Sequence, residues 1–134
     1  MQQLNLLRSA QREEVRAILR RAKANNLIGA RFLRGRSTDR FGRPFTGLLK
    51  ATIWLNAATI PGRDIALWRQ DPCGAHMYWH DYGKTNNKHG WEIDHILPVI
   101  NGGTDDMTNL QALHWKNNRQ KANDIGVNYC VVTD

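Results

Sequence analysis

The sequence predicts an α+β protein, in which a basic helical extension precedes a small strand, loop, strand and helix unit in the C-terminal half. Residues 3–26 carry apolar side chains at roughly helical spacing and contain no Pro or Gly, which favours an amphipathic helix. Residues 91–96 and 110–115 have the short apolar and polar pattern of strands. Residues 117–124 are polar and favour a short helix directly after the second strand. A turn is expected between the strands, at residues 98–103.

The chain has 134 residues, enough for one compact domain with a modest core. We expect this domain over residues 61–134, preceded by the basic extension over residues 1–60. Lys and Arg number 19 against 12 Asp and Glu, a formal charge of +7. Such a surplus favours a polyanionic partner, because bound cations release the counterions condensed on nucleic acid. Charge alone does not separate DNA from RNA or from an anionic membrane.

Arginines recur every four residues along the predicted N-terminal helix, which places them along one side of it. They are Arg8, Arg12, Arg16 and Arg20. This stripe is either a solvated face or a surface that lies along phosphates. Residues 31–45 contain five arginines together with glycines and a proline, so we predict an exposed basic loop whose Arg34 and Arg36 contact nucleic acid.

Two segments between the loop and the first strand are less regular. Residues 46–60 are apolar and favour a helix, although their β-branched residues leave a strand open. Residues 63–88 are expected to be loop-like, because they contain several turn-forming dipeptides.

The sequence shows no apolar run long enough to span a membrane and no secretory pattern at its N-terminus. Its two cysteines, Cys73 and Cys130, are far apart, unlike the dense cysteines of a disulfide scaffold. We therefore expect a soluble, cytoplasmic protein with reduced thiols.

One ordered motif stands out in residues 90–124, GWEIDHILPVINGGTDDMTNLQALHWKNNRQKAND. Its marked positions are Asp94-His95 at the end of the first strand, Pro98, Gly102-Gly103, Asp106, Asn109-Leu110, and Asn118-Arg119 with Lys121 on the helix. This segment resembles the HNH nuclease superfamily, whose catalytic unit is a ββα-metal finger. The preceding DPCGAHMYWHDYGK is similar to the lead-in of some members, so the resemblance covers the C-terminal half.

The resemblance implies a metal-dependent endonuclease that hydrolyses DNA phosphodiester bonds, nicking or cutting both strands of a duplex. A neutral histidine accepts a proton near neutral pH, so His95 is the candidate general base. The oxygen donors Asp94 and Asn118 suit a single Mg²⁺ or Mn²⁺ ion. Asn109 resembles the residue that braces the loop and orients the histidine. Arg119 and Lys121 are either phosphate contacts or solvated charges.

Many superfamily members also hold a structural zinc with two Cys-x-x-Cys pairs. The matching positions here read Cys73-Gly-Ala-His76 and His114-Trp-Lys-Asn117. Because asparagine is a poor zinc ligand, the candidate donors are Cys73, His76 and His114, with His80 or Cys130 as the fourth. We do not expect a structural zinc, and we expect packing by tryptophans to replace it: Trp79, Trp91 and Trp115.

Two further hypotheses remain open. One is a catalytically silent nucleic-acid-binding or assembly module, although the joint presence of Asp94, His95 and Asn118 argues against it. The other is an RNA-directed or toxin-type nuclease. The sequence does not identify a protein partner.

Overall fold

The computed structural model describes residues 35–123 and 128–134. The predicted helix over residues 3–26 and the arginines up to Arg34 lie outside the described residues. The chain forms two compact units. The first unit contains the described residues up to Phe45 together with His95–Leu110, and the second contains Thr46–Asp94 and Gln111–Asp134. The division into residues 1–60 and 61–134 stays a prediction.

In the second unit, helix α1 spans Gly47–Asn56 and confirms the helix predicted within residues 46–60. The Thr46 hydroxyl accepts a hydrogen bond from the Leu49 amide at 3.2 Å and caps the helix. The helix ends where Ala57 becomes extended. Its buried side chains are Ile53 and Trp54, so α1 contributes directly to the core of the second unit.

Three tryptophans form the centre of that core. The Trp54 ring lies 4.6 Å from the Trp91 ring and 5.5 Å from the Trp79 ring, centroid to centroid. The Trp54 indole also donates to the Ala66 carbonyl at 3.0 Å, which satisfies its one polar group. Trp91 is fully buried, and Trp79 is half-buried. Trp115 is only half-buried, and its indole donates to the Asn87 carbonyl.

A hairpin precedes the predicted strands. Strands β1, Trp68–Gln70, and β2, His76–Tyr78, pair antiparallel with Arg69 opposite Met77. The prediction that residues 63–88 are loop-like is wrong here. Strands of three residues are too short to show a hydrophobic period, and the turn between them depends on one side chain. The Asp71 carboxylate accepts from the amides of Cys73 and Ala75, both at 2.9 Å.

The predicted strand, loop, strand and helix unit is confirmed. Strand β3 spans Trp91–His95, strand β4 spans Leu110–His114, and helix α2 spans Trp115–Asn123. The two strands form one sheet. They run antiparallel, since Ile96 bonds to Asn109 at one end and Trp115 bonds to Gly90 at the other.

The loop between β3 and β4 belongs to the first unit and contains the predicted turn. A short 3₁₀ helix, Val99–Asn101, ends at Gly102, whose φ of 98° favours glycine. The Gly103 amide then donates to the Pro98 carbonyl at 3.0 Å. A second 3₁₀ turn, Met107–Asn109, leads into β4.

The C-terminal segment, residues 128–134, is fixed to the second unit. Cys130 forms a disulfide with Cys73, so the expectation of reduced thiols is wrong. The two cysteines are far apart in the sequence, but the fold brings their Cα atoms to within 5.4 Å of each other. The cysteine argument for a cytoplasmic location is thereby lost, because disulfides persist mainly in oxidising compartments. Neither α1 nor α2 has the length and apolar character needed to span a bilayer, and no other described helix does.

Candidate functional site

His95, the predicted base, is the last residue of β3 and lies in the first unit. Its side chain is 3% exposed, and its Nε2 lies 2.7 Å from the Asp105 carboxylate. The Phe45 ring lies 6.0 Å from the imidazole, between centroids. The histidine ring is therefore held by a carboxylate and flanked by an aromatic side chain.

Asn109 closes the loop that follows His95. Its side-chain oxygen accepts from the Leu97 amide at 2.8 Å. Its side-chain nitrogen donates to the carbonyls of Leu97 and Thr104, at 3.1 and 2.8 Å. These three bonds tie the start of the loop to its end. They are the contacts that a bracing role would require.

Asp94 and Asn118 lie in the second unit, on two elements that face each other. The Asp94 carboxylate accepts from Gln111 at 2.9 Å and forms an ion pair with Lys121 at 3.3 Å. Asn118, one turn before Lys121 on α2, donates to the Glu92 carboxylate at 3.4 Å. Since residues two apart on a strand share a face, Glu92 and Asp94 both point from β3 towards α2.

The donor atoms on these two elements suit a hard divalent cation. Glu92 and Asp94 offer carboxylate oxygens, and Asn118 offers an amide oxygen once its nitrogen has bonded to Glu92. The Lys121 ammonium shows that the face of Asp94 towards α2 accommodates positive charge. The residues present therefore fit Mg²⁺ or Mn²⁺ better than a softer metal.

The remaining basic residues proposed to contact nucleic acid have different surroundings. Arg119 is exposed, and its guanidinium lies 4.6 Å above the Trp115 ring. Arg36 is also exposed, as predicted for the basic loop. Lys121 is only 10% exposed and forms an ion pair with Asp94.

The candidate zinc donors are not brought together. Cys73 is bonded to Cys130 and has no thiolate to offer. Both ring nitrogens of His114 are engaged, Nε2 with the Lys88 carbonyl and Nδ1 with the Lys116 amide. Within residues 35–123 and 128–134, no three His, Cys, Asp or Glu side chains cluster in a way that could hold a metal ion.

A hydrogen-bonded network stands near these positions instead. The Asp71 carboxylate accepts from the His114 amide at 3.1 Å and from the Asn117 side chain at 2.9 Å. The Asn117 oxygen accepts from the amides of Val131 and Val132, both at 2.8 Å. Asn117 stands at the fourth position of the zinc pattern but is fully buried. Its bonds to Val131 and Val132 anchor the C-terminal segment.

Sequence reasoning missed two residues of the candidate site. Glu92 could have been found, because it lies two residues before Asp94 and must share its face of the strand. Asp105 gave no comparable signal. It lies in a loop beside Asp106, and only the folded loop shows which of the two carboxylates meets His95.

Comparisons with curated proteins and with solved structures gave no match. A family model described as HNH endonuclease matches residues 73–124, from the β1–β2 turn to the end of α2. This match includes Asp94, His95, Asn109 and Asn118, and it confirms the resemblance over that part of the chain. Residues 73–124 are therefore similar to the HNH endonuclease family.

Proposed function

We propose that this protein is a metal-dependent endonuclease that hydrolyses phosphodiester bonds of double-stranded DNA. The observation that carries the proposal is the placement of Asp94 and Asn118 on the facing elements β3 and α2, within the HNH region. His95 follows Asp94 directly in the chain. Asp94 and Asn118 would thus be the metal ligands, and His95 would be the base.

His95 is proposed as the general base. Hydrolysis requires a water that loses its proton as it attacks phosphorus, and a neutral imidazole can accept that proton near neutral pH. A base of this kind typically accelerates a reaction by about 10²- to 10⁴-fold. The His95 ring is buried and bonded to Asp105, which limits the orientations that it can take.

Asp94 and Asn118 would hold one Mg²⁺ or Mn²⁺ ion, with Glu92 next to Asn118. Such an ion neutralises charge on the phosphate and stabilises the leaving oxygen. Gln111 and Lys121 contact the two carboxylate oxygens of Asp94, which holds that carboxylate in one orientation. Asn109 would hold the loop after His95 in a fixed conformation.

DNA is the proposed partner because the chain has a formal charge of +7 and because Arg36 and Arg119 are exposed. The proposed phosphate contacts are Arg8, Arg12, Arg16, Arg20, Arg34, Arg36 and Arg119, with Lys121 near Asp94. Phosphate contacts hold and orient a duplex but do not read its sequence.

The test is cleavage of supercoiled plasmid with Mg²⁺, Mn²⁺, Zn²⁺ or EDTA, run beside labelled RNA. We expect cleavage with Mg²⁺ or Mn²⁺ and none with EDTA. His95→Ala should lose about 10²- to 10⁴-fold in rate while binding DNA normally, because only the base is removed. Asp94→Ala should also weaken metal binding, and a higher Mn²⁺ concentration should restore part of its rate.

The matched control is His80→Ala, which removes an exposed histidine outside the proposed set. It should cut at the parent rate. Cleavage that survives full chelation, or a folded His95→Ala protein that cuts like the parent, would refute the proposal. Binding without cleavage would instead support a silent nucleic-acid-binding module, and preferential cutting of RNA would support the RNA-directed alternative.

A further inference from the structure

We propose that Asp105 is a positioning residue for His95, and that a turn of the N-terminal extension holds Asp105 in place. The turn comprises residues 38–44 and lies outside the HNH match at residues 73–124. The inference rests on the proposed nuclease function. It assigns a catalytic contribution to a part of the extension, within the first unit.

The first step is the contact between the two side chains. His95 Nε2 and Asp105 Oδ1 are 2.7 Å apart, and the two side chains are 3% and 8% exposed. An ionised carboxylate can only accept hydrogen bonds, so Nε2 carries the hydrogen and Nδ1 keeps the lone pair. Asp105 therefore selects one tautomer of His95 and fixes the plane of its ring.

Asp105 is itself held by a backbone amide. The Arg40 amide donates to both of its carboxylate oxygens, at 3.1 Å to Oδ1 and 3.3 Å to Oδ2. Because the Arg40 amide reaches both oxygens and His95 bonds to Oδ1 as well, the carboxylate has little freedom to rotate. The backbone of Arg40, and not its side chain, supplies this contact.

The turn that presents the Arg40 amide is closed by several bonds. Thr38 and Pro44 form an isolated β-bridge at its base. The Asp39 carbonyl accepts from the Gly42 amide at 2.9 Å, and Gly42 has a φ of 81°. The Asp39 carboxylate accepts from the amides of Phe41 and Arg43, at 2.9 and 2.8 Å. The turn is thus closed by backbone and side-chain bonds of its own.

The first experiment compares Asp105→Ala with the control Asp106→Ala, which removes the same charge from the next residue. We expect Asp105→Ala to lose about 10- to 100-fold in kcat, on the scale found when a residue that orients an active-site histidine is removed, with KM for plasmid unchanged. Asp106→Ala should keep more of its kcat. Asp105→Asn retains the shape and one acceptor oxygen, so it should fold and should fall between the parent and the alanine variant.

The second measurement does not depend on cleavage. Nitrogen-15 NMR of the His95 ring, about two pH units above the ordinary histidine pKa of about 6.5, reports which nitrogen carries the hydrogen. The parent should show the Nε2–H tautomer almost alone, and Asp105→Ala should show a mixture. A purely structural role for Asp105 would not alter the tautomer in a protein that stays folded.

The turn is tested with a matched pair at position 40. Arg40 is the second residue of a four-residue turn, a position that accepts proline, so Arg40→Pro removes the amide hydrogen without opposing the turn. Arg40→Ala removes the guanidinium and keeps the amide. We expect Arg40→Pro to have a several-fold lower kcat than Arg40→Ala and a mixed His95 tautomer.

Failure of this inference and failure of the proposed function give different results. A parent protein that cuts neither DNA nor RNA refutes the nuclease proposal, while the NMR measurement still decides whether Asp105 orients His95. Unchanged ring nitrogens in Asp105→Ala overturn the inference even if the protein cuts DNA well. An altered tautomer with an unchanged kcat also overturns it, because the orientation would then have no catalytic effect.

Discussion

The bond between Cys73 and Cys130 leads to a prediction whose size follows from the fold. The two cysteines are separated by 57 positions in the sequence. The loop-closure model gives a stabilisation of roughly 4 kcal/mol for a loop of this length, by reducing the entropy of the unfolded chain. The C-terminal segment is also held by Asn117 and by a bond from the His76 amide to Asp134, so it should stay docked without the disulfide. We expect the double variant Cys73→Ser with Cys130→Ser to lose about 2–4 kcal/mol in the free energy of unfolding.

The assay is urea unfolding of three samples: oxidised parent, reduced parent and the double serine variant. The two parent samples should differ by the predicted amount, and reductant should not affect the serine variant. Adding Zn²⁺ to the reduced parent should not restore its stability, because His114 uses both ring nitrogens for other bonds. A loss below about 1 kcal/mol would refute the entropic argument. Recovery with Zn²⁺ would reinstate the zinc set that the structure does not assemble.

Two further predictions concern the first unit. Gly103→Ala should unfold or distort the loop after β3 and abolish activity, because an added Cβ would collide with the Leu97 carbonyl oxygen; circular dichroism and the plasmid assay together check this. Burial raises the pKa of Asp39, but the hydrogen bonds from Arg43 and Phe41 outweigh it and hold that pKa below its ordinary value. Because the pKa of Asp39 is lower in the folded than in the unfolded chain, its ionised carboxylate stabilises the turn above the ordinary aspartate pKa of about 3.9. This stabilisation is lost as the pH falls through the folded pKa. The amide NMR signals of Phe41 and Arg43 should therefore shift in acid, and Asp39→Asn should remove that transition.

Much of the fold could be predicted because its elements carry a local signal. The strand pattern of residues 91–96 and 110–115 and the polar run after them gave β3, β4 and α2 within about two residues, the usual uncertainty of element ends. The β1–β2 hairpin carried no such signal. Its strands are short, and its turn depends on an aspartate that also bonds to His114, more than forty residues later. Hydrogen bonds between residues so far apart cannot be predicted from local sequence patterns.

The candidate site divides in the same way. Asp94, His95 and Asn118 stood out because an ordered motif marks them, and the Asn109 side chain bonds to Leu97 and Thr104 in the loop after His95. Asp105 could not be found from the motif. Its contact with His95 depends on the conformation of the loop. Its other partner, Arg40, lies 65 positions away in the sequence. The motif indicates which residues are chemically suited, and the tertiary structure decides which groups orient them.

The absence of an assembled zinc set among the described residues affects how metal dependence can be studied. Where a structural zinc holds the fold, a chelator removes both the catalytic ion and the stability of the protein, and the two effects are hard to separate. Here the corresponding positions are held by the disulfide and by Asp71 and Asn117, none of which responds to EDTA. A chelator should then remove only the ion that we propose Asp94 and Asn118 to hold. Loss of cleavage in EDTA with an unchanged urea curve would therefore indicate a catalytic ion, and a parallel loss of stability would point to a structural metal outside the described residues.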